Sequence, residues 1–288
     1  EISRSFVEDL QTDRQGCERQ WNVPEKHQRQ PKCSAKNSRE NAEFADLNQT
    51  TSTIGSTNSI ALIIPNINAT TTGTTSTIFP ITAPGTTVVT WNFNDGNGQS
   101  INVNQNVIIE TTTWNGTAWS NGTPNATKGL VISGNYTPVA DVAACSLTVN
   151  NNAVVLVNSG INFNIAGDVT VVTGSSLTFE NNTNLLQTKN TNGNTGNITV
   201  KRKTTPLMLL DYVIWSAPVA GQQLQSFSPA TLANRFFTYN PTTNLYNAVP
   251  TPSAVNFSTG TGYLIRMPNN HPTTPTIWEG QFQGDRKS

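Results

Sequence analysis

Charge is scarce over most of this chain. The 288 residues carry 17 Lys or Arg and 17 Asp or Glu, and eight of those bases and nine of those acids fall between Glu1 and Asp46. The net charge is zero, which argues against a nucleic-acid binder, since such proteins present a basic face to the phosphates. No apolar run approaches the ~20 residues of a membrane-spanning helix. Histidine is nearly missing, with only His27 and His271. His271 stands in Asn269-Asn270-His271-Pro272, a turn sequence expected to leave it solvated, and no nucleophile-elbow motif accompanies either residue. The three cysteines cannot all pair internally. Cys17 and Cys33, with His27 between them, lack the close-spaced ligand pairs of a structural zinc site. The hydrophobic share is 35%, below the roughly 45–50% usual in globular chains, a figure that also counts Gly.

Thr, Asn, Ser and Gly fill that gap. Thr favours strands because its branched β-carbon suits a pleated surface, and Asn and Gly favour turns because they tolerate left-handed backbone. Long periodic runs of Ala, Leu, Glu and Lys are absent after residue 46, so the expected class is all-β with many short strands. Four segments follow. Residues 1–46 form an atypical charged segment, expected to be disordered or non-native and not to pack on the rest. The ending Gly284-Asp285-Arg286-Lys287-Ser288 is similarly out of character.

Residues 47–111 contain Val89, Trp91 and Phe93 alternating with Thr90 and Asn92. That is the pattern of a half-buried strand. Asn94-Asp95-Gly96 signals a turn, and Ile101, Val103, Val107 and Ile109 suggest the return strand.

In residues 112–200, Cys145, Leu147, Val149, Val155, Val157, Ile161, Phe163, Ile165, Val169, Val171, Leu177 and Phe179 share one parity across several Asn- and Gly-rich turns. Side chains alternate faces along a strand, so the shared parity lets every strand send its apolar set inward and leaves Asn164, Thr170 and Thr178 outside. Strands spaced by about eight residues fit a β-solenoid or an antiparallel meander; the solenoid is preferred because Asn side chains can stack along its corners. Cys145 is expected to be a free, buried thiol on this inward face.

Residues 201–288 hold aromatic runs bounded by Pro, Gly or Asn, the pattern of a β-sandwich, here read as truncated. Lys201-Arg202-Lys203 reads as a solvated strand end.

The residue 73–98 stretch with its Trp91 hairpin resembles the C-terminal half of a hyalin-repeat domain, an immunoglobulin-like adhesion module. The phrases Thr113-Trp114-Asn115-Gly116, Cys145-Ser146-Leu147-Thr148-Val149-Asn150-Asn151, Gly196-Asn197-Ile198-Thr199-Val200-Lys201-Arg202 and the residues from Tyr263 to Pro268 resemble a region of large secreted proteins of gliding flavobacteria. That resemblance implies export by the type IX route, a cell-surface address and an internal fragment of a longer chain. Glu1-Ile2-Ser3-Arg4 opens no apolar leader, in keeping with a processed chain or a fragment.

The expected function is therefore a non-catalytic structural or adhesive module whose partners are extracellular glycans or surface proteins. The alternative is a carbohydrate-binding region of a secreted polysaccharide-degrading enzyme. A β-helix lyase ranks last, for want of a basic–acidic cluster on consecutive rungs. Trp114, Trp119, Trp278 and Glu279 are the candidate glycan contacts, because flat aromatic faces stack on sugars and a carboxylate accepts their hydroxyls. No cofactor is expected. A structural calcium ion would draw on Asp168 and Glu180, but it takes six to eight oxygens.

Overall fold

The computed structural model describes residues 59–64, 69–94, 100–189 and 193–285. The charged segment 1–46, with Cys17, His27 and Cys33, and the tail residues 286–288 lie outside them.

Strands β1 (Ser59–Ile64), β2 (Ala69–Thr74), β3 (Gly85–Asn94) and β4 (Ser100–Ile109) form one antiparallel sheet in chain order. The β3–β4 pair is in continuous register from Gly85↔Ile109 to Asn94↔Ser100. Val89, Trp91 and Phe93 are buried as their alternation predicts, whereas Ile101, near the tip, is exposed. The base of this hairpin packs with Val107, Ile109 and Ile81 against Cys145 and Ala166 of the next unit.

That unit is a β-solenoid of about four turns. Its strands are β5 (Thr111–Trp114), β6 (Gly129–Ile132), β7 (Val142–Ala144), β8 (Ser146–Val149), β9 (Val154–Val157), β10 (Asn162–Ile165), β11 (Val169–Val171), β12 (Ser176–Phe179), β13 (Asn184–Gln187) and β14 (Ile198–Lys203). Successive coils stack in parallel to give three faces: β5-β6-β8-β11, β9-β12-β14 and β7-β10-β13. Parallel pairing excludes the meander. The register places Leu177 on Val155, Val169 on Leu147 and Leu185 on Phe163, a coil of 22 residues. Phe163, Ile165, Val169, Val171, Leu177 and Phe179 are all buried in one core, with Phe163 and Phe179 edge to face at 5.7 Å.

Corners are built by Asn as expected. Asn151, Asn152 and Asn182 adopt positive φ, a conformation Asn tolerates better than other branched or bulky residues. On the third face, Asn184 Nδ2 donates to Asn162 Oδ1 at 2.8 Å, and the Asn162 backbone N–H donates to Asp141 Oδ1 at 2.8 Å, a ladder over three coils.

Cys145 departs from the expectation in two ways. It is buried, but it occupies the corner between β7 and β8 and points away from the solenoid core, into the cluster of Trp91 and Ala166. Val142 and Ala144 before it face the core on even positions, Leu147 and Val149 on odd ones. The corner is one residue shorter than its equivalent at Ala166-Gly167-Asp168, which reverses the parity. Cys145 is also disulfide-bonded rather than a free thiol.

β14 runs across the 200/201 boundary and leads into a cap. The cap comprises β15 (Tyr212–Trp215), a short helix α1 (Leu224–Phe227), β16 (Phe236–Asn240), β17 (Leu245–Ala248), β18 (Tyr263–Arg266) and β19 (Glu279–Gly284). β15, β18, β16 and β17 make an antiparallel sheet in that spatial order. β19 returns to pair antiparallel with β14, from Ile198↔Gly284 to Lys203↔Glu279. Where the aromatic spacing predicts a sandwich, the second layer facing the cap sheet is thus the end of the solenoid's own sheet. Trp215, Phe227, Phe257 and Phe282 fill the space between them, and one core runs unbroken from Leu130 to Phe282.

Candidate functional site: the outer face of the cap sheet

The sequence-predicted contacts lie at two separate places. Trp114 and Trp119 meet Tyr136 at the first solenoid coil, with ring centroids 5.0–5.4 Å apart. The Trp114 indole donates to the Asn135 carbonyl at 2.9 Å. All three rings are half-buried against the core, and burial raises the Tyr136 pKa. Trp278 is edge-on to Trp215 and Phe227 at 5.5 Å. Its neighbour Glu279 points to the other side of the strand, towards Lys201 at 3.8 Å and Lys203 at 3.7 Å. Trp278 and Glu279 are therefore adjacent in sequence but do not converge.

Lys201-Arg202-Lys203 is more than a solvated strand end. Lys201 Nζ is 2.8 Å from Glu180 Oε1, and this hydrogen bond, above all, raises the lysine's pKa. Arg202 donates to the carbonyls of Thr183 at 2.8 Å and Lys201 at 2.7 Å, and burial lowers its pKa. Asp168 pairs with Lys189 at 2.5 Å. Acid–base pairs do occur on consecutive coils, contrary to expectation, and each joins one coil to the next. Asp168 and Glu180 are each engaged by a lysine, so calcium there would have to compete with an ammonium group. Among the described residues no three of His, Cys, Asp and Glu are grouped to hold a metal ion. None of their helices is long and apolar enough to cross a membrane. His271 is buried instead of solvated: its Nε2 sits 2.9 Å from the Leu207 carbonyl, which requires that nitrogen to carry a proton and ties two cap loops together.

A further arrangement was not anticipated from the sequence. The inner face of the cap sheet buries Trp215, Phe236, Tyr263 and Ile265, while Tyr212, Ile214, Phe237, Tyr239, Tyr246 and Leu264 occupy the alternate, outer positions. Ile214 is 58% exposed, Tyr239 49% and Tyr246 47%, a cluster of apolar surface that a monomeric domain seldom leaves without a use. A trench of about 500 Å³ runs through it, lined by Ile214, Leu264, Tyr239, Tyr246, Pro241 and the loop residues 260–262. Gly262 keeps it open: a β-carbon there would stand 2.9 Å from Ile214 Cγ2. Tyr239 and Tyr246 pack at 5.5 Å, and the Tyr239 hydroxyl donates to Asn244 Oδ1 at 2.9 Å. The signal in the sequence is apolar residues at both parities, as in Tyr212-Val213-Ile214-Trp215 and Tyr263-Leu264-Ile265. A sheet with one wet face does not need them.

The same face ends in two arginines. Arg266 closes β18, opposite Tyr212, and is only 8% exposed. Phe236↔Ile265 places the backbone of Arg235 across from it. The Nε atoms of both are buried without a hydrogen-bond partner, and Arg266 Nη2 reaches Asn269 Oδ1 at 3.3 Å. Neither arginine forms an ion pair among the described residues.

The fold and this surface define a β-solenoid protein closed by an antiparallel cap, with an aromatic face on the cap. A family model described as a domain of unknown function, DUF8693, matches residues 106–288, and the chain belongs to that family. No curated protein and no solved structure matches it. The matched region takes in the solenoid and the cap and omits most of the N-terminal hairpin sheet.

Proposed function

We propose that the chain is a non-catalytic structural and adhesive module of a secreted cell-surface protein, with extracellular glycans or surface proteins as its partners. The observation that carries this reading is the single core from Leu130 to Phe282, which joins the stacked coils to the cap and so backs the exposed aromatic face with a stiff support. Ordered side chains on a rigid scaffold bind at low entropic cost. The resemblance to exported proteins of gliding flavobacteria supports the surface address and the type IX route. Beads coated with the full chain should be retained on bacterial cells or polysaccharide films under flow, and Tyr239→Ala with Tyr246→Ala should release them. Equal retention of coated and bare beads would reject the adhesive role.

The second reading, a carbohydrate-binding region of a secreted polysaccharide-degrading enzyme, draws on the same exposed tyrosines. It differs in requiring that the protein raise the turnover of a polysaccharide by an attached or neighbouring catalytic domain.

A further inference from the structure

We propose that the outer face of the cap sheet binds an extended glycan bearing carboxylates, a uronic-acid polymer, with sugar rings in the Tyr239–Tyr246 trench and a carboxylate received by Arg235 and Arg266. The proposal rests on the adhesive reading of this face and names its ligand class.

Two observations converge. The trench lining contains no charged side chain, so it suits the apolar C–H faces of sugar rings, which stack on tyrosine while their polar substituents stay in solvent. Arginine is always protonated, and removing a guanidinium from water without an anion is costly. Arg266 is nine-tenths buried and finds one long bond to an amide oxygen. Arg235, whose backbone the register sets across from Arg266, supplies a second guanidinium with no ion-paired acid among the described residues. Planar carboxylates match the guanidinium fork in a bidentate manner. From Gly262, just before β18, to Arg266 at its end is four residues, roughly 13 Å at about 3.3 Å per residue, and Tyr212 and Phe237, with rings 6.0 Å apart, lie on the path. A ligand filling both ends must therefore be elongated, with a ring in the trench and a carboxylate-bearing unit about that distance further along. A neutral polysaccharide would leave both arginines uncompensated. A nucleic acid would want a broad basic face, whereas this chain has no net charge.

Calorimetric titration of the full chain with polygalacturonate, dextran and dextran sulfate tests the assignment. Polygalacturonate should bind, with dextran at least tenfold weaker. The double variant Tyr239→Ala, Tyr246→Ala and the single variant Arg235→Gln should each weaken polygalacturonate at least tenfold, and Arg235→Gln should also flatten its salt dependence. Arg235 is only partly buried, so its replacement spares the fold better than that of Arg266; unchanged thermal melting of each variant would confirm this. Equal binding of dextran and polygalacturonate, binding of dextran sulfate alone, or polygalacturonate binding indifferent to the variants would overturn the proposal. If coated beads hold to cells while polygalacturonate does not bind, the ligand class is wrong and the adhesive reading survives. If polygalacturonate binds as expected but beads do not hold, the converse applies.

Discussion

Glu180 and Lys201 stand one coil apart on the solenoid, with Oε1 and Nζ 2.8 Å from each other, within the stretch where β14 pairs with β19. Glu279 of β19 lies 3.8 Å from the same ammonium group. The cluster ties two coils and the returning cap strand through one charge.

Its consequence is a pH dependence at the alkaline end. The pKa of Lys201 is raised above its ordinary 10.5 in the folded protein, chiefly by the Glu180 hydrogen bond. A raised lysine stabilises the fold fully below the unfolded pKa and loses that contribution as pH rises through the folded one. The melting temperature should therefore fall as pH is taken above 10.5. Glu180→Gln should flatten that fall, read by thermal melts in matched buffers. An unchanged profile in the variant would show the pair to be idle.

The solenoid interior should be intolerant where the outer face is forgiving. Phe163→Ala removes a fully buried ring packed on Phe179 and should cost about 3–5 kcal/mol. Thr170→Lys, on the outward side of β11, should cost under about 0.5 kcal/mol, allowing for the 3.3 Å contact it gives up to Thr195. Denaturant titrations that rank the two equally would refute the register.

The hairpin sheet sits close on the solenoid corners because glycine permits it. A β-carbon on Gly167 would come 2.5 Å from Thr82 Oγ1, and one on Gly129 would come 2.6 Å from Pro84 Cγ. Gly167→Ala should cost about 1–3 kcal/mol through overpacking and open the 85–109 hairpin to protease ahead of the solenoid. Simultaneous cleavage of both regions, at the wild-type rate, would contradict this close approach.

Trp114→Ala should expose Tyr136 at the first coil. The tyrosine pKa, raised by burial, should return towards its ordinary value in an ultraviolet titration. Stability should drop by clearly less than the about 3–5 kcal/mol of a fully buried ring, because the indole is only half-buried against the core.

Cys145 should resist alkylation in denaturant until a reductant is added, as mass spectrometry of the labelled peptide would show. Labelling without reductant would restore the free thiol that the sequence suggests.

Much of the solenoid was legible before any coordinates. Leu147, Val155, Phe163, Val169 and Leu177 repeat on one parity because a strand has a period of two and each coil closes on the same interior. The Asn-rich turns mark corners because asparagine accepts left-handed backbone and can bond its neighbour one coil away. Residue order alone left the solenoid and the meander both open; hydrogen bonding between strands 22 residues apart decided it. The direction of Cys145 was equally hidden, since a corner one residue shorter inverts parity without altering the local pattern. His271 and Lys201 look solvated in sequence because their partners, Leu207 and Glu180, are distant in the chain. The outer face of the cap needed tertiary structure most of all. Apolar residues at both parities are compatible with a strand buried on two sides, and only the assembled sheet leaves Tyr239 and Tyr246 in solvent and sets Arg235 beside Arg266. Local pattern follows from the geometry of the strand, whereas exposure and charge compensation depend on which distant segments come to lie across it.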